Sequence, residues 1–79
     1  MVDFFQLRAG RALTGLPQAE VAKSAGVSIP TLKRAEAGGP IKVAPETIEV
    51  IAKALEKAGV EFIPENGGGA GVRMKKRKR

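Results

Sequence analysis

The chain has 79 residues, with 14 lysines and arginines against 8 carboxylates, a formal net charge of +6, no cysteine and no histidine. That length allows one small domain, and the missing residue types exclude disulfides, thiolate zinc sites, a cysteine nucleophile and histidine as base or ligand. Residues 73–79 hold six of the fourteen basic groups and no acid, so residues 1–72 are neutral and the basicity belongs to the tail.

In chain order, Asp3-Phe4-Phe5-Gln6 has the form of a capping box, with Asp3 capping free N–H groups and Gln6 reaching back. It predicts a first helix to about Thr14, with Phe4, Leu7 and Leu13 as its buried stripe and Gly15 as its stop. Leu16-Pro17 predicts the start of a second helix, since proline lacks an N–H where none is needed. That helix is short and ends near Ala25, with Gly26 supplying a left-handed turn. Ser28 predicts the cap of a third helix with Pro30 in its first turn, ended by Gly38-Gly39-Pro40. Pro45 opens a fourth helix through Lys57 or Ala58, with Ile48, Ile51, Ala52 and Leu55 on one face.

Beyond Gly59, Val60–Ile63 and Gly71–Met74 read as short strands around Pro64-Glu65-Asn66-Gly67-Gly68-Gly69-Ala70. A β-hairpin is the reading preferred over one strand followed by a glycine linker. Asp3 stands where a secretory leader carries positive charge, and apolar runs are a few residues long, so a soluble, cytoplasmic protein is expected.

The twenty residues from Gln18 to Ala37 carry the functional argument. Two helices crossing at a three-residue turn need a small fifth residue, a turn-forming ninth, and apolar residues at the fourth, eighth, tenth, fifteenth and eighteenth positions. These are Ala22, Gly26, Val21, Ala25, Val27, Leu32 and Ala35. All seven agree, and they spell a helix-turn-helix.

The run Gln-Ala-Glu-Val-Ala-Lys-Ser-Ala-Gly-Val-Ser resembles the Xre/Cro-type helix-turn-helix regulators over residues 4 to about 58. The resemblance implies a mainly α fold, a four- to five-helix domain over residues 1–58, followed by a strand or hairpin. Residues 59–74 would then serve dimerisation and residues 75–79 form a basic tail. It also implies that Gln18 bonds a DNA phosphate and steadies the recognition helix. Ser28, Ile29, Pro30, Lys33 and Arg34 match the outward positions of that helix, and Arg11 with Glu36 matches an ion pair between helices one and three. Thr31 joins the DNA-contacting set, as does Lys42 in the following link.

The chain departs from the family pattern in two places. Pro17 replaces the usual Ser, Thr or Asn cap, and Ile29-Pro30 replaces residues able to bond bases. Ile29 and Pro30 offer apolar contact only, which shifts base reading to Arg34, whose planar fork suits guanine, with Lys33 toward phosphate. Ser28 and Thr31 also read as caps of the first turn, with no ligand. The tail reads as a solvated end, a phosphate-binding arm or a minor-groove arm.

The expected partners are double-stranded DNA and a second copy of the chain, meeting through the hairpin and the outer face of helix four. Two-fold dimers read half-sites about 34 Å apart. A competing reading is a protein-interaction module, an antiactivator or antitoxin, using Ile29 and Pro30 as a docking patch. No catalytic residue, metal, cofactor or small-molecule ligand is implied. The carboxylates form no evident pair, and no helix follows Gly67-Gly68-Gly69 to make a phosphate loop.

Overall fold

Asp3 opens the first helix as expected, its carboxylate accepting the Gln6 N–H at 2.9 Å while the Gln6 amide oxygen accepts the Asp3 N–H at 2.9 Å. In a computed structural model describing residues 2–39 and 42–75, the elements follow the chain as α1 (Phe4–Thr14), α2 (Gln18–Ala25), α3 (Ile29–Ala37), α4 (Pro45–Lys57), β1 (Val60–Ile63) and β2 (Gly71–Met74). The fold is mainly α, four helices and a two-stranded antiparallel hairpin among the described residues.

Two expectations need correcting. Pro17 is not in the first turn of α2 but caps it from outside, in extended backbone. Its carbonyl accepts the N–H groups of Glu20 and Val21 at 3.1 and 3.3 Å, so the helix starts without a side-chain cap. Leu13 is not buried: it is 46 % exposed. At 100° per residue it lies well round α1 from Leu7, toward the solvent side, so its apolar character does not place it in the buried stripe.

The turn between α2 and α3 works as the sequence required. Gly26 is left-handed at φ 73, a conformation that costs other residues energy through Cβ. Its N–H bonds the Lys23 carbonyl, and that of Val27 bonds Ala22. Ser28 caps α3 by accepting the Thr31 N–H.

The core gathers Leu7 from α1, Val21 and Ala22 from α2, Leu32 and Ala35 from α3, Ile51, Ala52 and Leu55 from α4, and Val60 from β1. Leu7, Leu32, Ile51 and Leu55 are at most 1 % exposed, each such burial stabilising the fold by about 1.5–3 kcal/mol. Ala25 and Val27 pack against this core, as does Ile48. The seven positions singled out between Gln18 and Ala37 therefore all fill the wedge or make its turn.

The hairpin lies against α1 at Gly10. A Cβ there would stand 3.3 Å from Val60 Cγ1 and 3.5 Å from the Phe62 ring, so glycine lets helix and strand approach closely. β1 and β2 pair as Val60↔Met74, Glu61↔Arg73, Phe62↔Val72 and Ile63↔Gly71. The Gln6 amide nitrogen crosses to the loop end of this ladder and donates to the carbonyls of Ile63 and Gly71 at 3.2 and 3.0 Å.

Candidate nucleic-acid interface

A recognition helix must be held rigidly by the elements beneath it before its outer face can do anything specific. Here the holding is done by Glu36, which is 4 % exposed. Its carboxylate takes a two-point grip from Arg11 of α1, Nε at 2.7 Å and Nη2 at 3.0 Å, and a third bond from the Gln18 amide of α2 at 3.2 Å. Fork-on-carboxylate pairing fixes orientation as well as energy. The pairing raises the Arg11 guanidinium pKa above its ordinary value, chiefly through the hydrogen bond to Glu36.

The ion pair implied by the family resemblance is thus present, and it is larger than a pair. Arg11 also donates to the Leu16 carbonyl at 3.3 Å, tying in the entry to α2. Arg8, which the sequence reading assigned no role, donates to the Glu36 carbonyl at 3.5 Å and lies 6.0 and 5.5 Å from the ring centroids of Phe4 and Phe5. Its spacing of four and three residues from those rings was the signal that could have found it.

Gln18 stands at the start of α2, half-buried, with one amide N–H donated to Glu36. Ser28 and Thr31 are tied to one another: the Ser28 hydroxyl donates to Thr31 Oγ1 at 2.8 Å and accepts the Thr31 N–H at 3.1 Å. That geometry is the cap the sequence predicted. Ile29, 41 % exposed, and Pro30 lie open beside them.

Lys33 and Arg34 project from α3 opposite the buried Leu32 and Ala35, and both are exposed. Among the described residues neither makes a hydrogen bond or an ion pair, in contrast to Arg11 and Arg73. Arg34 and Lys42 line one open cleft at the end of α3 together with Phe4, Gly38 and Val43. The structure therefore brings two of the expected cations together there and leaves Gln18 and Ser28 engaged within the protein. Of the basic tail, Lys75 is described, its N–H bonding the Gly59 carbonyl at 2.7 Å; residues 76–79 lie outside the described residues.

Among the described residues no cluster of carboxylates could hold a metal ion, and no helix is long and apolar enough to cross a membrane. A family of proteins described as helix-turn-helix domain matches residues 5–62, spanning α1 from its second residue, the other three helices and most of β1. No curated protein matches the chain significantly.

Proposed function

The chain belongs to the helix-turn-helix domain family, a DNA-binding architecture, and from that premise we propose that it is a sequence-specific transcription regulator of the cytoplasm. It acts as a homodimer on a palindromic operator, placing α3 in the major groove. The observation that carries this reading is the pair of exposed, unengaged cations Lys33 and Arg34 on a helix whose inner side is locked by Glu36. Cations without a partner among the described residues are available for phosphates and base edges at no cost in broken ion pairs there.

Arg34 reads guanine through its fork, Lys33 and Lys42 meet phosphates, and Ile29 with Pro30 gives apolar contact to a thymine methyl. Gln18, Ser28 and Thr31 shape the approach, Gln18 with one amide N–H held by Glu36 and Ser28 with its hydroxyl donating to Thr31. Repression by occupying a promoter is the mode of action proposed for this dimer.

Selection of bound sequences from a random duplex pool, followed by titration of the Arg34→Ala variant, tests the proposal. The expected loss is about 1–3 kcal/mol on the selected site, with preference relaxed at one base pair. Absence of duplex binding at any salt concentration would overturn it. The exposed Ile29 also favours a second reading as a protein-docking module, which that outcome would support.

A further inference from the structure

The side of the molecule formed by α1 and β2 carries two features that the DNA-binding reading leaves unused. The first is an open strand edge. Lys75 donates to Gly59, which sets the phase of the ladder at 59 and 75, and hydrogen-bonded pairs recur every second residue from there along an antiparallel ladder. Glu61/Arg73 and Ile63/Gly71 are then bonded pairs, while the N–H and C=O groups of Val60, Phe62, Val72 and Met74 point away from the hairpin. On β1 the outward groups include those of Val60, which is wholly buried; on β2, Met74 is 39 % exposed.

The second feature is the outer face of α1. Phe5 (60 % exposed), Ala9, Ala12 and Leu13 (46 % exposed) are all open to solvent. At about 100° per residue they fall in one arc of roughly 100° on the helix, on the side away from Leu7 and next to Gln6, which reaches the hairpin. The arc contains no charge. The exposed face of α4, by contrast, carries Glu46, Glu49, Lys53, Glu56 and Lys57 around a single Val50.

We propose that the partner on this side is a second copy of the chain, joined β2 to β2 in antiparallel two-fold register with α1 packed on α1. The proposal rests on the dimeric reading above and specifies its surface. Outward-pointing Val72 and Met74 permit three registers. Val72 against Met74 sets Arg73 directly opposite the Arg73 of the other copy. Met74 against Met74 sets Arg73 opposite Lys75. Like charges directly opposed destabilise a sheet.

Val72 against Val72 instead sets each Arg73 opposite Gly71, which has no side chain, while each Arg73 keeps its own Glu61 at 3.1 Å. That register also brings Met74 opposite Ala70, allowing about six new backbone hydrogen bonds across the seam. It aligns Phe62, Val72, Val72 and Phe62 as one apolar row across four strands, on the face that Phe62 presents to α1 at Gly10. The two α1 helices then lie about 9.6 Å apart, two strand spacings of about 4.8 Å, within the 8–10 Å or so of packed helices. Ala9 and Ala12 allow that approach, and Leu13 and Phe5 are covered by it.

The absence of cysteine from the chain makes cross-linking a clean test. In the proposed register two Val72 Cα atoms stand about 5.5 Å apart, inside the disulfide window of about 4.4–6.8 Å. The full-length Val72→Cys variant should convert almost completely to a covalent dimer under mild oxidation, and Arg73→Cys and Met74→Cys should not. Sedimentation of the cysteine-free Leu13→Glu variant should show loss of the dimer, with helical circular dichroism retained because the side chain is exposed.

A wild-type dimer in which Met74→Cys or Arg73→Cys cross-links and Val72→Cys does not would overturn the register. A wild-type dimer that none of the three cross-links, and that Val50→Glu dissociates, would overturn the surface while leaving dimeric DNA binding intact. A chain monomeric both free and on its selected duplex would overturn the dimeric reading itself.

Discussion

Gln6 and Glu36 are both buried polar residues, each 4 % exposed, and each joins three segments of the chain. Glu36 gathers α1, α2 and α3 through a charge facing Arg11 and Gln18. Gln6 gathers the start of α1 and both strands of the hairpin through a neutral amide facing an N–H and two carbonyls. The two junctions differ in what happens when one partner goes. An isolated buried charge has no cheap alternative to its partner, whereas the carbonyls of Ile63 and Gly71 keep a place in the strand ladder. The crossing angle of the helix-turn-helix is therefore held by the less forgiving device, and the appended hairpin by the more forgiving one.

The comparison is most exposed at Glu36. Glu36→Ala should lower unfolding free energy by about 3–5 kcal/mol, the range for breaking a buried ion pair. The lower end is expected because the Arg11 side chain keeps 24 % exposure to water. Urea denaturation followed by circular dichroism reads this directly, and a loss below about 1 kcal/mol would make the junction no stronger than a surface pair.

Gln6→Ala should cost less, about 1–3 kcal/mol, and unevenly. Amide hydrogen exchange at Glu61 and Arg73 should accelerate more than at Val21 or Leu32. Equal acceleration everywhere would show that the two junctions are one.

The smallest effect belongs to the exposed pair Glu61 and Arg73, 3.1 Å apart. Its hydrogen bond from Arg73 holds the Glu61 carboxyl below its ordinary pKa. A depressed carboxylate stabilises the fold above the ordinary carboxylate range and ceases to do so as pH falls through it. Thermal melts of the wild type and Glu61→Gln should therefore differ slightly near neutrality and converge in acid. A gap that widened in acid would reverse the assigned sign.

Much of this architecture is written locally. Asp3 and Gln6 announce α1, Ser28 and Pro30 announce α3, and Gly26 announces the turn, because caps and left-handed turns depend on residues a few positions apart. The wedge from Val21 to Ala35 is legible for the same reason. What is not legible depends on separation. Gln6 reads as a cap, and nothing near it in sequence tells that its nitrogen also reaches Ile63 and Gly71. Leu13 reads as core by its side chain, since hydropathy does not report which side of α1 lies bare. The outward placement of Lys33 and Arg34 is legible from helical spacing against Leu32 and Ala35, and both are exposed; that Arg34 shares a cleft with Lys42 is not, because the two lie on different segments.

The reach of Gln6 has a kinetic side. Its two carbonyl partners lie 57 and 65 residues away, so the bond links opposite ends of the polypeptide. Loop-closure entropy disfavours forming so distant a contact until the intervening helices have already collapsed the chain. The hairpin should then dock late in folding and detach early in unfolding, as a subunit of lower local stability than the helices. Because the same residue also caps α1, release of the hairpin would loosen the first turn of α1, and these two segments would fray together.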